Sequence, residues 1–355
     1  MPKNGNTKTG APVKLHFTHT NGAVDDAIDH LMDQVGGVAN PDIVREIILA
    51  GLKAGQENSG RMDLKLMNTS MKEMRFTAKV FGPYRQVRKV TVFGSARVKP
   101  DAPLYKLARD LGNQLARAGF MVITGGGPGI MQATNEGAGP EHSFGVNIRL
   151  PFEQKPNPVL VGNPRHITYK YFFNRKVAFL KETDAVVLFP GGFGTMDEAM
   201  ESITLLQTGK RYPLPLIFID QPDGTYWERL CHFLENELSR HGYISHDDFR
   251  LIERVNCPED AVEKIQAFYS RYHSLRWVGE QMVIRLVSPI SEQQVALLKK
   301  QFGDILVPGG DIRLSGPLEE EKNEVELAGM PRLVIDFKKR DFGRLRELVD
   351  AINAF

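Results

Sequence analysis

The pattern of apolar and polar positions divides the chain into three stretches. The first is a helical opening, the second a long run in which short apolar strands alternate with amphipathic helices, and the third a shorter stretch of mixed pattern. In the opening, one helix is predicted over Val24–Val35, capped by Asn21 and stopped by Gly36-Gly37. A second opens at Asn40-Pro41 and carries Ile43, Val44, Ile47, Ile48 and Leu52 at helical spacing. A third is predicted over Met62–Phe81, with Lys65, Lys72, Arg75 and Lys79 read as a solvated face. These helices are expected to form an extension, residues 22–88, packed on the main domain.

From Lys89 the period changes. Strands are predicted at Val90–Phe93, Met121–Thr124, Phe144–Leu150, Ala185–Phe189 and Leu216–Ile219. Helices are predicted at Tyr105–Ala118, Ile130–Ala138, Thr168–Lys181, Thr195–Gly209, Trp227–Arg240 and Asp260–Tyr272. The proline-containing stretch Phe152–Pro164 is expected to be a loop. Strands alternating with helices imply right-handed crossovers and an α/β fold, a doubly wound, Rossmann-like and mostly parallel sheet covered on both faces. Such sheets bind ligands beyond the carboxyl ends of their strands, where glycine turns follow Phe93, Thr124 and Phe189. This domain is expected to span residues 89–275.

Residues 276–355 read differently. Strands at Met282–Val287, Ile312–Leu314 and Leu333–Phe337 combine with a helix opened by the capping box Ser291-x-x-Gln294 and another over Arg344–Ile352. The order β-α-β-β-α resembles a small α+β, ferredoxin-like module. Its acidic stretch Glu319–Glu326 reads as a solvated loop, and a regulatory or oligomerising role is the expectation for the module.

Composition narrows the function classes. The 355 residues are 42% hydrophobic and 25% charged, with a formal net charge of +2. That near-neutral balance argues against a nucleic-acid partner. No apolar run approaches the roughly 18 residues that span a bilayer. The polar start of the chain, read as a disordered tail to residue 21, lacks the apolar core of a signal peptide, so no membrane partner and a cytoplasmic location are expected. Cys231 and Cys257 stand alone in their segments, and the histidines show no ligand spacing, so neither a disulfide framework nor a metal site is expected.

The chemistry concentrates in DAVVLFPGGFGTMDEAME, Asp184–Glu201, which reads as a buried strand, a glycine turn and a helix N-terminus. Backbone N–H groups and the helix dipole converge on an anion in such a turn, and phosphate is the expected guest. The competing reading makes Thr195-x-x-Glu198 an ordinary capping box. No glycine turn carries the Lys-Ser or Lys-Thr of a P-loop, and neither register of Gly125–Gly129 satisfies G-x-G-x-x-G, so a mononucleotide is the indicated ligand.

FGSA (Phe93–Ala96), GGGPGIM (Gly125–Met131), GVNIRLPFEQ (Gly145–Gln154), YFFNRK (Tyr171–Lys176) and PGGFGTMDE (Pro190–Glu198) together resemble the LOG family. These are the cytokinin-activating "Lonely guy" phosphoribohydrolases and their bacterial relatives, and the longer bacterial branch is the better match. The resemblance covers Lys89 to about Tyr272. It implies hydrolysis of the N-glycosidic bond of a nucleoside 5′-monophosphate, AMP or a cytokinin riboside monophosphate, to free base and ribose 5-phosphate without a cofactor. The oxocarbenium-like transition state calls for a carboxylate near C1′, and Glu198 is the candidate. Arg175, matched to the family's arginine, would bind phosphate or the ribose edge and help position Glu198. Lys176 is a weaker candidate for substrate binding, because adjacent helical residues point about 100° apart. Gly191, Gly192, Gly194 and Thr195 form the expected phosphate cradle, while Gly94, Ser95, Gly126, Gly127, Gly129 and Met131 are expected to line the rest of the pocket. The family also implies a homodimer or higher homo-oligomer with the site near the subunit boundary. Two rivals remain: a non-catalytic binder of nucleotide or molybdenum cofactor on the same fold, and the decarboxylase of the family's old label, for which no suitable Schiff-base lysine stands in the glycine turns.

Overall fold

The computed structural model describes residues 19–57, 60–151 and 155–355. Most of the expected tail, and part of the expected loop Phe152–Pro164, lie outside the described residues. The chain divides into two compact units, one ending at Lys72 and one running from Glu73 to Phe355.

The first unit holds α1 (Ala23–Val35), α2 (Pro41–Glu57) and the first half of α3 (Arg61–Phe81). Gly22, at φ 56, occupies the N-cap of α1 in place of the expected Asn21. The Asn21 amide instead donates to Asp25 Oδ2 at 2.8 Å. Arg45 of α2 ties the pair together through Asp25 and through Asp29 Oδ1 at 3.4 Å.

The second unit is built on a seven-stranded sheet: β1 (Lys89–Phe93), β2 (Met121–Thr124), β3 (Ser143–Ile148), β4 (His166–Tyr169), β5 (Ala185–Leu188), β6 (Leu216–Ile219) and β7 (Glu253–Val255). Its order is β4-β3-β2-β1-β5-β6-β7, with parallel pairing throughout. The chain steps outward from β1 to β4 and then returns to lay β5 on the other side of β1. The reversal between β1 and β5 opens a crevice at their carboxyl ends, where ligands bind in sheets of this kind.

Alternate strand residues feed two cores. Val90, Val92, Ala185 and Val187 pack with Leu111 of α4 (Pro103–Arg117), Ala133 of α5 (Ile130–Ala138) and Ile265 of α9 (Pro258–Phe268). On the opposite face, Ile123, Val186, Leu188 and Phe218 pack with Phe81, Phe179 of α6 (Phe172–Glu182), Ala199 of α7 (Phe193–Gln207) and Trp227 of α8 (Tyr226–Phe233).

Three expectations change here. The segment predicted as a helix from Thr168 supplies the edge strand β4 first, and helix begins only at Phe172. β7 is an unexpected strand, three residues long and without alternating burial. The helix expected over Trp227–Arg240 ends at Phe233 and continues as a π-helical turn, Leu234–Ser239.

The remaining residues form β8 (Tyr272–Val278), β9 (Gln281–Leu286), α10 (Glu292–Phe302), β10 (Ile312–Ser315), β11 (Arg332–Ile335) and α11 (Phe342–Asn353). The antiparallel sheet order is β10-β11-β9-β8. The element order is therefore β-β-α-β-β-α, one strand more than expected, which is the ferredoxin-like order with its last strand moved to the front. Ser291 does form the expected capping box with Gln294. The acidic stretch is solvated only in part: Glu319, Glu320 and Glu326 are exposed, but Glu321 is 2% exposed and paired with Arg285 and Arg332. The module is docked on the parallel sheet: Arg346 of α11 bonds Glu253 of β7 at 2.5 Å and the Leu214 carbonyl at 3.3 Å, and the Tyr269 hydroxyl donates to the Asp184 carbonyl at 2.6 Å.

Candidate functional site

A cavity of about 760 Å³ opens at the carboxyl ends of β1 and β5. Of the expected residues, Gly94, Ser95, Met131, Arg175, Gly191, Gly192, Gly194, Thr195 and Glu198 line it. Gly126, Gly127 and Gly129 do not; their neighbour Gly125 does. Gly129 instead lets α5 start close under the β1 turn. Its φ is +68 and an added Cβ would lie 2.3 Å from the Ser95 carbonyl oxygen, while the Ile130 amide donates to that same oxygen at 3.1 Å. Asn157, buried, holds the second glycine turn from outside, its amide bonding the Gly126 carbonyl at 2.8 Å and its side chain the Gly127 carbonyl at 3.2 Å.

The helix after β5 begins earlier than expected. Gly192 is the N-cap of α7, with no side-chain cap bond, and Phe193 is the first helical residue. Thr195 is consequently not an N-cap, and the capping-box reading of Thr195 and Glu198 falls. The Thr195 and Met196 amides bond the Gly192 carbonyl at 3.0 and 3.1 Å, and the amides before them stand at the open, positive end of the helix.

Glu198, in the second turn of α7, is 3% exposed and on the cavity wall. Its Oε1 lies 3.3 Å from Lys176 Nζ and 3.9 Å from Arg175 Nη2. Its Oε2 has no hydrogen-bond partner. Burial pushes the carboxyl above its ordinary range, and the nearby Lys176 and Arg175 charges offset this only in part. Arg175 is held between the rings of Phe172 and Phe179, 5.0 and 5.5 Å from their centroids, and its buried Nε is also unpartnered. Burial lowers its pKa, against the pull of Glu198.

Adjacent residues of α6 thus both reach Glu198, which the 100° separation made unexpected; α7 lies alongside α6 closely enough for both arms to converge. Lys176 is not among the lining residues. Its ammonium is occupied by Asp197 at 2.8 Å and Glu201 at 2.7 Å as well as Glu198. Sequence reasoning missed Tyr226, which lines the cavity and donates from its hydroxyl to the Gly191 carbonyl at 2.7 Å. The signal was available: Tyr226 follows the Asp-Gly-Thr turn just beyond β6, whose carboxyl end adjoins that of β5. Among the described residues no cluster of His, Cys, Asp and Glu is arranged to hold a metal, and no helix is long and apolar enough to cross a membrane.

Residues 121–265 match the family model described as "Possible lysine decarboxylase". The cytokinin riboside 5′-monophosphate phosphoribohydrolase of Arabidopsis thaliana is 27% identical over 187 residues, 51% of this chain and 83% of the relative. The LOG enzyme of Oryza sativa subsp. japonica is 28% identical over 192 residues, 52% of this chain and 75% of the relative. Residues 121–265 form a LOG-type domain. The LOG relatives match about half of the chain, so the remainder has no counterpart in those alignments. Among solved structures, the molybdenum cofactor binding protein of Rippkaea orientalis is 19% identical and covers 51% of this chain and 96% of that one, with a TM-score of 0.37.

Proposed function

We propose that this protein hydrolyses the N-glycosidic bond of a nucleoside 5′-monophosphate, releasing free base and ribose 5-phosphate. The observation that carries the reading is Glu198, a buried carboxylate with one oxygen unpartnered, on the wall of a glycine-lined cavity beside a helix N-terminus. A site meant only to hold a phosphate gains nothing from a buried carboxylate, whose charge repels the ligand. A site that must stabilise a cationic ribose needs one.

The 5′-phosphate would sit against the Gly191–Gly194 turn, with the ribose beyond it toward Glu198. As the C1′–N bond breaks, its electron pair leaves with the base and positive charge spreads over C1′ and the ring oxygen. Ionised Glu198 stabilises that charge and takes a proton from the attacking water, whose oxygen forms the new bond to C1′. Arg175 lines the same cavity with its Nε unpartnered, and would bind the ribose edge or the phosphate. AMP and cytokinin riboside monophosphates are the substrates we propose, in line with the activity named for the LOG relatives.

The decarboxylase reading lacks its nucleophile. Among the described residues no lysine lines the cavity, and Lys176, gripped by three carboxylates, has its pKa raised by Asp197 and Glu201 in spite of burial, so it stays a cation and not a free amine. A homodimer with the site near the boundary also remains part of the proposal.

The test is base release from AMP, GMP, CMP, UMP and isopentenyl-AMP, followed by chromatography for the wild type and Glu198→Gln. Release that disappears in the variant is the expected result. No release from any of the five, with nucleotide binding intact by calorimetry, would replace the enzyme with a binding protein of the same fold.

A further inference from the structure

Two successive carbonyls at the phosphate turn, Pro190 and Gly191, are each held by a donor from a different element. The Ser95 amide, after β1, donates to the Pro190 carbonyl at 3.1 Å. The Tyr226 hydroxyl, after β6, donates to the Gly191 carbonyl at 2.7 Å. A trans peptide is planar and its N–H points opposite to its C=O. Fixing the Gly191 carbonyl therefore fixes the direction of the Gly192 amide.

This latch sits where it is most needed. The Gly191-Gly192 peptide joins two residues with no Cβ, so it is the peptide of the turn most free to flip. A flip would present a carbonyl dipole, in place of an N–H, to an anion at the helix N-terminus. Gly191 itself cannot be replaced to stiffen the turn, because an added Cβ would lie 2.1 Å from Thr195 Oγ1 and 3.0 Å from the Ser95 nitrogen.

Tyr226 is in turn delivered to its post. Asp220, buried at the end of β6, accepts from the Gln221 amide at 2.9 Å and from the Tyr226 amide at 3.1 Å. The Tyr226 ring stands edge-on to Trp227 at 4.8 Å, and the Trp227 indole donates to the Ile219 carbonyl at 3.0 Å. That the turn faces a ligand, and not bare solvent, is indicated independently by the unpartnered Oε2 of buried Glu198 on the same cavity wall.

We propose that Tyr226 is a positioning residue for a phosphomonoester: through the Gly191 carbonyl it keeps the Gly192 amide aimed at the phosphate. The proposal rests on the phosphate seat of the proposed function and does not require hydrolysis. Calorimetry of the full chain with ribose 5-phosphate and with adenosine, for wild type and Tyr226→Phe, tests it. The expected result is roughly tenfold weaker ribose 5-phosphate binding, the size of one net hydrogen bond, with adenosine affinity unchanged. In turnover, KM for AMP should rise by a similar factor while kcat stays within about twofold. Unchanged ribose 5-phosphate affinity, an equal loss for adenosine, or a wild type that binds no ribose 5-phosphate would overturn it. If the ribose 5-phosphate contrast holds but no nucleotide releases its base, the hydrolase reading fails and the latch stands.

Discussion

Glu198 and Glu321 are both carboxylates buried among cationic side chains, and they are completed to very different degrees. Glu321 uses every acceptor it has: Oε1 takes Arg285 Nε at 2.9 Å and Nη2 at 2.5 Å, and Oε2 takes Arg332 Nε and the Leu318 amide, both at 3.1 Å. Burial pushes its carboxyl up, but those hydrogen bonds outweigh it and leave the group below the usual range. Glu198 has one oxygen without a partner, an arginine at 3.9 Å, and a carboxyl held above the usual range. A buried charge that is fully satisfied belongs to the architecture; one left partly unsatisfied beside a cavity is available to a ligand.

The largest effect expected from breaking this contrast is on the structural side. Glu321→Ala leaves Arg332 buried without its carboxylate and Arg285 with Glu324 alone, and should cost about 3–5 kcal/mol of stability. Denaturant unfolding measures it, and base release per folded molecule should be unaltered. A loss under about 1 kcal/mol would mean that the acidic segment opens readily. Glu198→Gln should behave in the opposite way, with base release falling about 10²–10³-fold while the fold is retained, as for removal of a group that acts on transition-state charge. If the variant lost stability in proportion to activity, the two carboxylates would be alike after all.

A subtler effect separates Lys176 from the cavity residues. Its ammonium pulls the Glu198 carboxyl down against burial, together with Arg175 and against Glu201. Lys176→Met should therefore move the acid limb of the activity profile to higher pH, and Lys176→Arg should leave it near its wild-type position. An unmoved limb in Lys176→Met would indicate that Lys176 serves only Asp197 and Glu201.

The contrast also shows what a linear sequence discloses. The glycine turns, the strand-turn-helix around β5 and the place of Glu198 just after the turn are legible because each is local: an apolar run, a break, a helical period; Arg175 comes from the resemblance to the LOG family. The capping-box alternative can be weighed from the sequence but is resolved only by where α7 begins. Glu321 misleads because its partners come from β9 and β11, and no local pattern announces a buried ion pair made across sheet strands. β8 escapes because Tyr272–Val278 is buried at every third position, with a register irregularity between Tyr272 and Ser274. With Phe268 and Tyr269 just before it, that spacing imitates a helix. Tyr226 is legible only as a residue of the turn beyond β6; its contact with Gly191 joins residues 35 apart in the chain and leaves no local pattern.

The smallest predicted effect is also the one that most directly asks whether Glu198 is strained. Its folded pKa is raised above the unfolded reference value of 4.5, so the folded state binds its proton more tightly than the unfolded chain. By linkage, the group favours folding when protonated, and that contribution is lost as pH rises from the unfolded pKa through the folded one. Glutamine mimics the protonated form at every pH. Glu198→Gln should therefore melt close to the wild type below the unfolded pKa and above it at higher pH, the gap opening as pH rises through the raised folded pKa. Such a gain in stability, accompanied by loss of base release, is the signature of a group kept for chemistry at the expense of the fold. Melting curves of both proteins across that range decide the matter: a gap that closes or reverses as pH rises would mean that Lys176 and Arg175 satisfy the Glu198 charge as fully as Arg285 and Arg332 satisfy Glu321.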